Sequence, residues 1–356
     1  MPRSGSTGSG RWVIKHGQCM EAQFYSVEDG KDVKCLLCPH LCVLRPGQSG
    51  ICRVRTNVGG KLVSDNYGLL CSLHSDPIEK KPLYHYFPGS RILSAGTVGC
   101  NLRCRFCQNY EISQTAVKDY PHLHPYTPQE IVALAIADNG NTGIAYTYNE
   151  PTVWYEFVKD VALPAANAGL KNVMVTNGYI NPEPLRELIP LINAFSVDLK
   201  AFTENFYKRL TSSRLAPVLE TLSIIRKSGR HLEITNLLIP DENDNEHDFR
   251  EMMKWIQGEL GPETILHLSR FFPTYKLIHN ATPEALLLKF YDIACEYLSF
   301  VYTGNTRSDA GRSTCCPECG ELLISRQGYI STVLMLNGKP ECPACGRKVP
   351  VVLEDE

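Results

Sequence analysis

Gly99-Cys100-Asn101-Leu102-Arg103-Cys104-Arg105-Phe106-Cys107-Gln108-Asn109 decides the reading of this chain, because it sets three cysteines at CxxxCxxC spacing. Three thiolates this close can hold three corners of a 4Fe-4S cluster, whereas full protein ligation takes four. Cys100, Cys104 and Cys107 would therefore leave one iron open. The competing readings are a zinc knuckle or unconnected buried thiols. Zinc pairs usually come as two CxxC knuckles, however, and no fourth local ligand follows Cys107.

Outward from this loop, residues 91 to 305 alternate short β-rich runs with helical stretches, the pattern of a parallel sheet with crossover helices. The expected strands are 91–95, 143–147, 172–176, 194–198, 232–238, 265–269 and 299–303. One helix start is well marked: Thr127-Pro128-Gln129-Glu130 offers an N-cap, a proline at the first helical position and a capping-box glutamate. Further helices are expected over 182–191, 215–228, 247–259 and 283–297. Six or seven such units make a partial or full TIM-like (β/α) barrel, with chemistry at the C-terminal ends of its strands. The cysteine loop follows the first strand, as that rule requires.

The 356 residues suit one large α/β domain with smaller additions. A net charge of −2 supplies no broad positive field, so neither a nucleic acid nor an anionic membrane is expected as a partner. No run approaches the roughly 18 apolar residues of a membrane span. Most of the fifteen cysteines fall in short CxxC-type sets, which suit metal sites in a reducing compartment, and the expected location is cytoplasmic. The expected organisation is a flexible leader over 1–18, a cysteine-rich segment over 19–88, the barrel over 89–306 and a metal-stapled tail over 307–356.

In the tail, Cys316-Pro317-Glu318-Cys319-Gly320 and Cys342-Pro343-Ala344-Cys345-Gly346 each aim two sulfurs at one point. Two such knuckles make a tetrahedral four-thiolate zinc site, and a short tail of this kind needs its metal to fold. Cys315 is spare, since Cys316 stands at the right spacing from Cys319. The N-terminal set Cys35, Cys38, Cys42 and Cys52 is open between zinc, an auxiliary iron-sulfur cluster and plain buried thiols. His40 reads as a packed or exposed ring rather than a ligand, and Cys19, Cys71 and Cys295 as isolated residues.

Polar residues gather where barrel strands end: Tyr148-Asn149-Glu150-Pro151, Thr176-Asn177-Gly178 and Ser196-Val197-Asp198-Leu199-Lys200. Asp198 and Lys200 are two apart and share a face of an extended segment, so a carboxylate and an ammonium point together into the barrel mouth. A plain ion pair is the alternative. His267 and Arg270, at the end of the sixth strand, are further candidates.

With Phe106 one residue before the last cysteine, the loop resembles that of the radical S-adenosylmethionine (SAM) superfamily. From about residue 35 to residue 345 the chain resembles the AmmeMemoRadiSam-system radical SAM proteins, which are related to pyruvate formate-lyase activating enzymes. The stretches that carry this include Asp76-Pro77-Ile78-Glu79-Lys80-Lys81-Pro82-Leu83-Tyr84-His85, Tyr302-Thr303-Gly304-Asn305 and the terminal ribbon. The resemblance implies a radical SAM (β/α) partial barrel with a Cys-rich N-terminal extension and a C-terminal zinc-ribbon-like tail. It implies a 4Fe-4S cluster on Cys100, Cys104 and Cys107, and reductive cleavage of SAM to methionine and a 5'-deoxyadenosyl radical. Asn149-Glu150-Pro151 stands where the activating enzymes have Gly-Gly-Glu-Pro, which gives Glu150 the cofactor's amino group. Asp198 and Lys200 match the ribose and carboxylate contacts by motif. Phe106, Asn149, Thr176, Asn177 and His267 complete the expected SAM-binding set. A reductant protein such as flavodoxin or ferredoxin is the expected partner. The expected function is a radical SAM enzyme, an oxidoreductase abstracting hydrogen from an unidentified substrate. The alternatives are an activase that installs a glycyl radical on a partner protein and a non-enzymatic iron-sulfur or zinc scaffold.

Overall fold

A computed structural model of the chain describes residues 12–14, 17–336 and 338–353. Its centre is an eight-stranded sheet. Arg91–Gly96, Asn141–Tyr146, Lys171–Thr176, Ala194–Asp198, His231–Leu238, Ile265–Arg270 and Phe300–Gly304 run parallel in that order. These are the seven expected strands, displaced by no more than two residues at either end. The helices Pro128–Ala137, Tyr155–Asn167, Pro182–Leu188, Ala216–Lys227, Glu246–Trp255 and Glu284–Cys295 cross over between them. The expected capping box is formed: the Thr127 hydroxyl accepts from the Glu130 amide at 3.2 Å, and the Glu130 carboxylate accepts from the Thr127 amide at 2.7 Å. The sheet is a partial barrel, because its last strand pairs only with its neighbour and does not return to the first.

The central sheet and its crossover helices hold two elements that were not foreseen. Tyr155–Asn167 carries Pro164 near its end, a residue that reads as a helix breaker, yet Tyr155, Phe157, Val158, Val161 and Ala165 are buried along it. Ser72–Pro77 pairs antiparallel with Arg91–Gly96 as the sheet's eighth strand. The boundary expected at 88/89 therefore cuts through a single sheet.

The N-terminal piece is fastened to the barrel by a buried ion pair. The Arg55 guanidinium donates to both Glu156 oxygens, at 2.9 and 3.0 Å, and to the Gln23 carbonyl at 2.7 Å. Burial works against charge on Arg55, but the Glu156 carboxylate overrides it and raises the pKa. Breaking such a pair from one side costs about 3 to 5 kcal/mol, because a charge is left buried alone. Of the leader expected over 1–18, residues 1–11 and 15–16 lie outside the described residues. Trp12–Ile14 and Gly17–Glu21 form an antiparallel hairpin, so the part described is strand.

The tail is a small antiparallel sheet of Thr314–Cys315, Leu322–Gln327 and Ile330–Val333. It is not a separate body, because Cys316, Leu323, Ile324 and Leu336 share one apolar cluster with the barrel residues Ile265, Phe300 and Tyr302. A line of hydrogen bonds continues the join. Arg326 donates to Thr314 at 2.7 Å, Thr314 and Tyr302 share a bond of 2.7 Å, and Tyr302 meets His85 Nε2 at 2.5 Å. His85 Nδ1 lies 3.2 Å from the Pro350 carbonyl. A carbonyl only accepts, so Nδ1 carries a proton, and in the neutral ring that burial favours Nε2 accepts from Tyr302.

Burial pushes the His85 pKa down from its ordinary 6.5 to about 3. The unfolded chain therefore binds a proton below pH 6.5 that the folded chain refuses. Stability is complete above pH 6.5 and falls as pH falls toward 3. Glu233, held well below its ordinary 4.5 by two histidines against the cost of its burial, adds a loss of the same sign only below pH 4.5. Denaturant melts between pH 6.5 and 4.5 should thus show stability falling by about 1 kcal/mol per pH unit from this site, and His85→Phe should flatten that slope. An unchanged slope in the variant would remove His85 as its source.

Candidate active site

The cysteine loop begins where Arg91–Gly96 ends and is pinned on both sides. Gly99 has φ +93°, and a Cβ there would fall 2.7 Å from Val54 Cγ1 and 2.8 Å from the Cys52 carbonyl oxygen. Only glycine fits this close approach to the N-terminal piece. The Arg103 and Arg105 amides donate to the carbonyls of Thr211 and Leu210, at 2.8 and 2.9 Å. Asn101 donates to the Tyr179 carbonyl at 2.6 Å and accepts from Asn177 at 2.9 Å. The loop is thereby held by the ends of three neighbouring segments.

Cys100, Cys104, Phe106, Cys107, Asn149, Glu150, Thr176, Asn177, Asp198, Lys200 and His267 all line one cavity of about 1070 Å³ at the C-terminal ends of the strands. Arg270 is the exception among the strand-end candidates. It does not line the cavity, and its Nε donates to the Thr282 carbonyl at 2.8 Å.

Within the cavity the side chains differ in what they have left to offer. Glu150 is buried and accepts from the Thr152 amide at 3.0 Å, the Thr176 hydroxyl at 2.7 Å and the Asn177 amide at 2.8 Å. Burial raises its pKa, and these donors oppose the rise. A carboxylate offers about four lone-pair sites, so one remains for a donor in the cavity. Asn149 is committed to the loop: its oxygen accepts from the Thr97 amide at 3.1 Å and its nitrogen donates to the Gly99 carbonyl at 2.8 Å. His267 faces the cavity but binds Glu233 at 2.6 Å. Asp198 and Lys200 form the expected pair at 2.7 Å. Burial disfavours charge on Lys200, but Asp198 overrides it and raises the pKa. The Lys200 ammonium also lies 5.9 Å from the centre of the Phe106 ring.

The three loop thiols are the only cysteines among the residues lining this cavity. Burial and then the charge of Glu150 push Cys100 well above its usual range, and burial pushes Cys104 up to about 12. Such thiols stay protonated until a cation replaces the proton. The donor set therefore fits a 4Fe-4S cluster, which three cysteines would hold with one iron left without a protein ligand. The Leu102 amide and the Asn177 side chain donate to Cys100 Sγ at 3.3 and 3.7 Å, the kind of bond that tunes a cluster's potential.

Lys80-Lys81 reads in the sequence as a solvated face, but both line this cavity, and Arg307 and Arg312 were not singled out. Lys80, Lys81, Arg307, Arg312 and Lys200 bring five cations to the lining, against the anions Glu79, Glu150 and Asp198. Lys81 is buried, bound to Asp76 at 2.6 Å and 4.5 Å from the centre of the Tyr148 ring. Burial brings its pKa down to about 8, although Asp76 opposes the fall. Gln327, Gly328 and Tyr329, at the turn of the tail hairpin, close one side of the mouth. Nothing in the spacing of the tail signalled this, because the contact is made across the whole length of the chain.

The four tail sulfurs of Cys316, Cys319, Cys342 and Cys345 all lie within 4.8 Å of one another, with two pairs at 3.6 Å, and could hold a metal ion. No helix among the described residues is long and apolar enough to cross a membrane.

A radical SAM superfamily model matches residues 95–256. An uncharacterized protein of Methanocaldococcus jannaschii is 43% identical over 336 residues, 94% of this chain and 99% of that protein. A pyruvate formate-lyase-activating enzyme of Listeria monocytogenes is 21% identical over 165 residues, 45% of this chain and 66% of that enzyme. The crystal structure of Streptococcus suis SuiB bound to precursor peptide SuiA covers 65% of this chain and 52% of its own, at 14% identity and a TM-score of 0.48. The superfamily implies a 4Fe-4S cluster, SAM and a source of electrons, and the non-enzymatic scaffold falls away. The chain belongs to the family of the Methanocaldococcus jannaschii protein and is a radical SAM enzyme with homology to pyruvate formate-lyase-activating enzymes.

Proposed function

We propose that this chain is a radical SAM enzyme of the AmmeMemoRadiSam-system type that removes a hydrogen atom from a substrate held in the strand-end cavity. The observation that carries this reading is the common lining by three cysteines, without a fourth, and by Glu150, Thr176, Asn177, Asp198 and Lys200. When bound, the cluster and SAM supply one-electron cleavage of the sulfonium and a 5'-deoxyadenosyl radical. The protein's part is to bind, orient and exclude water. Cys100, Cys104 and Cys107 hold the cluster, and Glu150 offers its remaining lone pair to the cofactor's ammonium. Asp198 accepts from the ribose hydroxyls while Lys200, kept charged by its partner, faces the carboxylate. Asn149 acts through the loop it braces. Phe106 and His267 shape the wall. The cavity slightly exceeds the roughly 300 to 1,000 Å³ of ordinary small-molecule sites, which leaves room beside the cofactor.

Flavodoxin or ferredoxin would donate the electron, and the described cysteines, all free thiols, suit a cytoplasmic setting. Zinc is the metal proposed for the tail, because sulfurs at 3.6 Å suit one ion bound at about 2.3 Å from each. A glycyl-radical activase is the second reading. It is favoured by 26% identity over 212 residues to a putative glycyl-radical enzyme activating enzyme of Methanocaldococcus jannaschii.

Three measurements test these assignments. Anaerobically reconstituted protein should form 5'-deoxyadenosine with SAM and dithionite, and Cys100→Ala should abolish it; product from the variant would end the radical reading. Glu150→Gln and Asp198→Asn should each weaken SAM binding by roughly ten- to a hundredfold, the loss of one charge-assisted bond, with the cluster absorbance intact. Calorimetric titration reads this directly, and unaltered affinity would move the contact elsewhere. Electron paramagnetic resonance on mixtures with candidate partner proteins should show no glycyl doublet, while a low-molecular-weight extract fraction should stimulate 5'-deoxyadenosine formation. A doublet lost on replacing the partner's glycine would transfer the assignment to the activase.

The tail supplies a further test. Cys342→Ser should release about one zinc per chain and lower the hydrogen-exchange protection of Phe300–Tyr302, which packs on the tail's core. Full protection with the metal gone would show that the tail folds without it.

A further inference from the structure

Four sulfurs that no step at the barrel mouth uses converge elsewhere. Cys35, Cys38, Cys42 and Cys52 line a separate cavity of about 20 Å³, walled otherwise by apolar Leu37, Leu44, Ile51 and Val153 and by polar His40, Arg55 and Asn101. No carboxylate lines it.

The spread of the sulfurs separates the candidate metals. One zinc ion at about 2.3 Å from each sulfur draws four sulfurs to within about 4 Å of one another, as the tail shows with its pairs at 3.6 Å. Among the described residues the tail's four sulfurs are gathered as one ion requires, and neither the N-terminal set nor Cys100, Cys104 and Cys107 forms such a group. The space they enclose admits a water-sized sphere, since about 10 to 15 Å³ suffices for one. Sulfurs gathered on a single ion leave no such space. We propose that Cys35, Cys38, Cys42 and Cys52 ligate a second, fully cysteine-bound iron-sulfur cluster. All its irons are then closed to SAM, and its chemistry is one-electron exchange. The adjacent wall residue Asn101 is the neighbour of Cys100, and His40 donates to the Asn101 carbonyl at 2.7 Å, so the two sites share one wall.

The test uses the full chain, reconstituted anaerobically with iron and sulfide. A Cys100→Ala, Cys104→Ala, Cys107→Ala triple variant should retain about two to four irons with matching labile sulfide, and its dithionite-reduced paramagnetic resonance spectrum should not change when SAM is added. Adding Cys38→Ala and Cys42→Ala should remove that iron. Should the fivefold variant fail to fold, the native chain still decides, because it must carry more than about four irons and a fraction of its spectrum indifferent to SAM. A triple variant that holds no iron, holds a second zinc beside the tail's, or shows a spectrum shifted by SAM overturns the proposal. The outcome is independent of the reaction proposed above: iron retained in the triple variant with no 5'-deoxyadenosine from native protein sinks that reading alone. An empty triple variant beside an active native chain sinks only this one.

Discussion

One buried carboxylate gathers the parts of this protein around the barrel. Glu233 accepts from the amides of Tyr84 and His85, at 2.9 and 2.8 Å, and binds His231 and His267 at 2.8 and 2.6 Å. An ion buried this deeply survives only when its lone pairs are filled, and here four partners fill them. The result ties the segment before the barrel to two adjacent strands and fixes the His267 ring at the cavity wall. The Tyr84 carbonyl in turn accepts from Arg326 at 2.6 Å, which carries the connection into the tail. Losing Glu233 would therefore disturb site and tail together, although neither contains it.

The cavity keeps charge in an enclosed space by the same rule. Lys200 is held charged by Asp198, Lys81 by Asp76, and Glu150 has three protein donors before any ligand arrives. Groups fixed in this way need little reorganisation when a polar cofactor enters. Tyr148, at φ +73°, donates to Asp76 at 2.5 Å, while its neighbour Asn149 braces the cysteine loop. The strand end thus positions the loop and presents Glu150 in one short run of chain.

The three cysteine groups differ in geometry more than in composition. The tail's sulfurs are drawn together on two tight turns whose positive-φ residues are Gly320 and Gly346. The loop set and the N-terminal set keep theirs apart around open space. Gly99 lets the second of these lie against the third, since any side chain there would strike Cys52 and Val54. The N-terminal piece therefore forms part of the support for the cysteine loop.

The parallel strands were legible because each is a short β-rich run between turn residues, and the first helix because Thr127, Pro128 and Glu130 form a complete start signal. The strand-end candidates were legible because a barrel brings successive strand ends to one rim, so a position in the chain already implies a position at the mouth. Tyr155–Asn167 was hidden by Pro164, a local signal that burial of the opposite residues outweighs. The antiparallel Ser72–Pro77 and the mouth residues Lys81, Arg312 and Tyr329 depend on contacts across long stretches of chain, which no local pattern encodes. Sequence by itself determined which cysteines stand at ligand spacing and which strands end in polar residues. Only the tertiary structure decided that Asn149 is taken up by the loop, that Arg270 turns aside to Thr282, and that two cysteine sets stay open while one closes. Those outcomes follow from how separated segments pack and which polar groups their packing satisfies, and spacing along a chain does not contain that information.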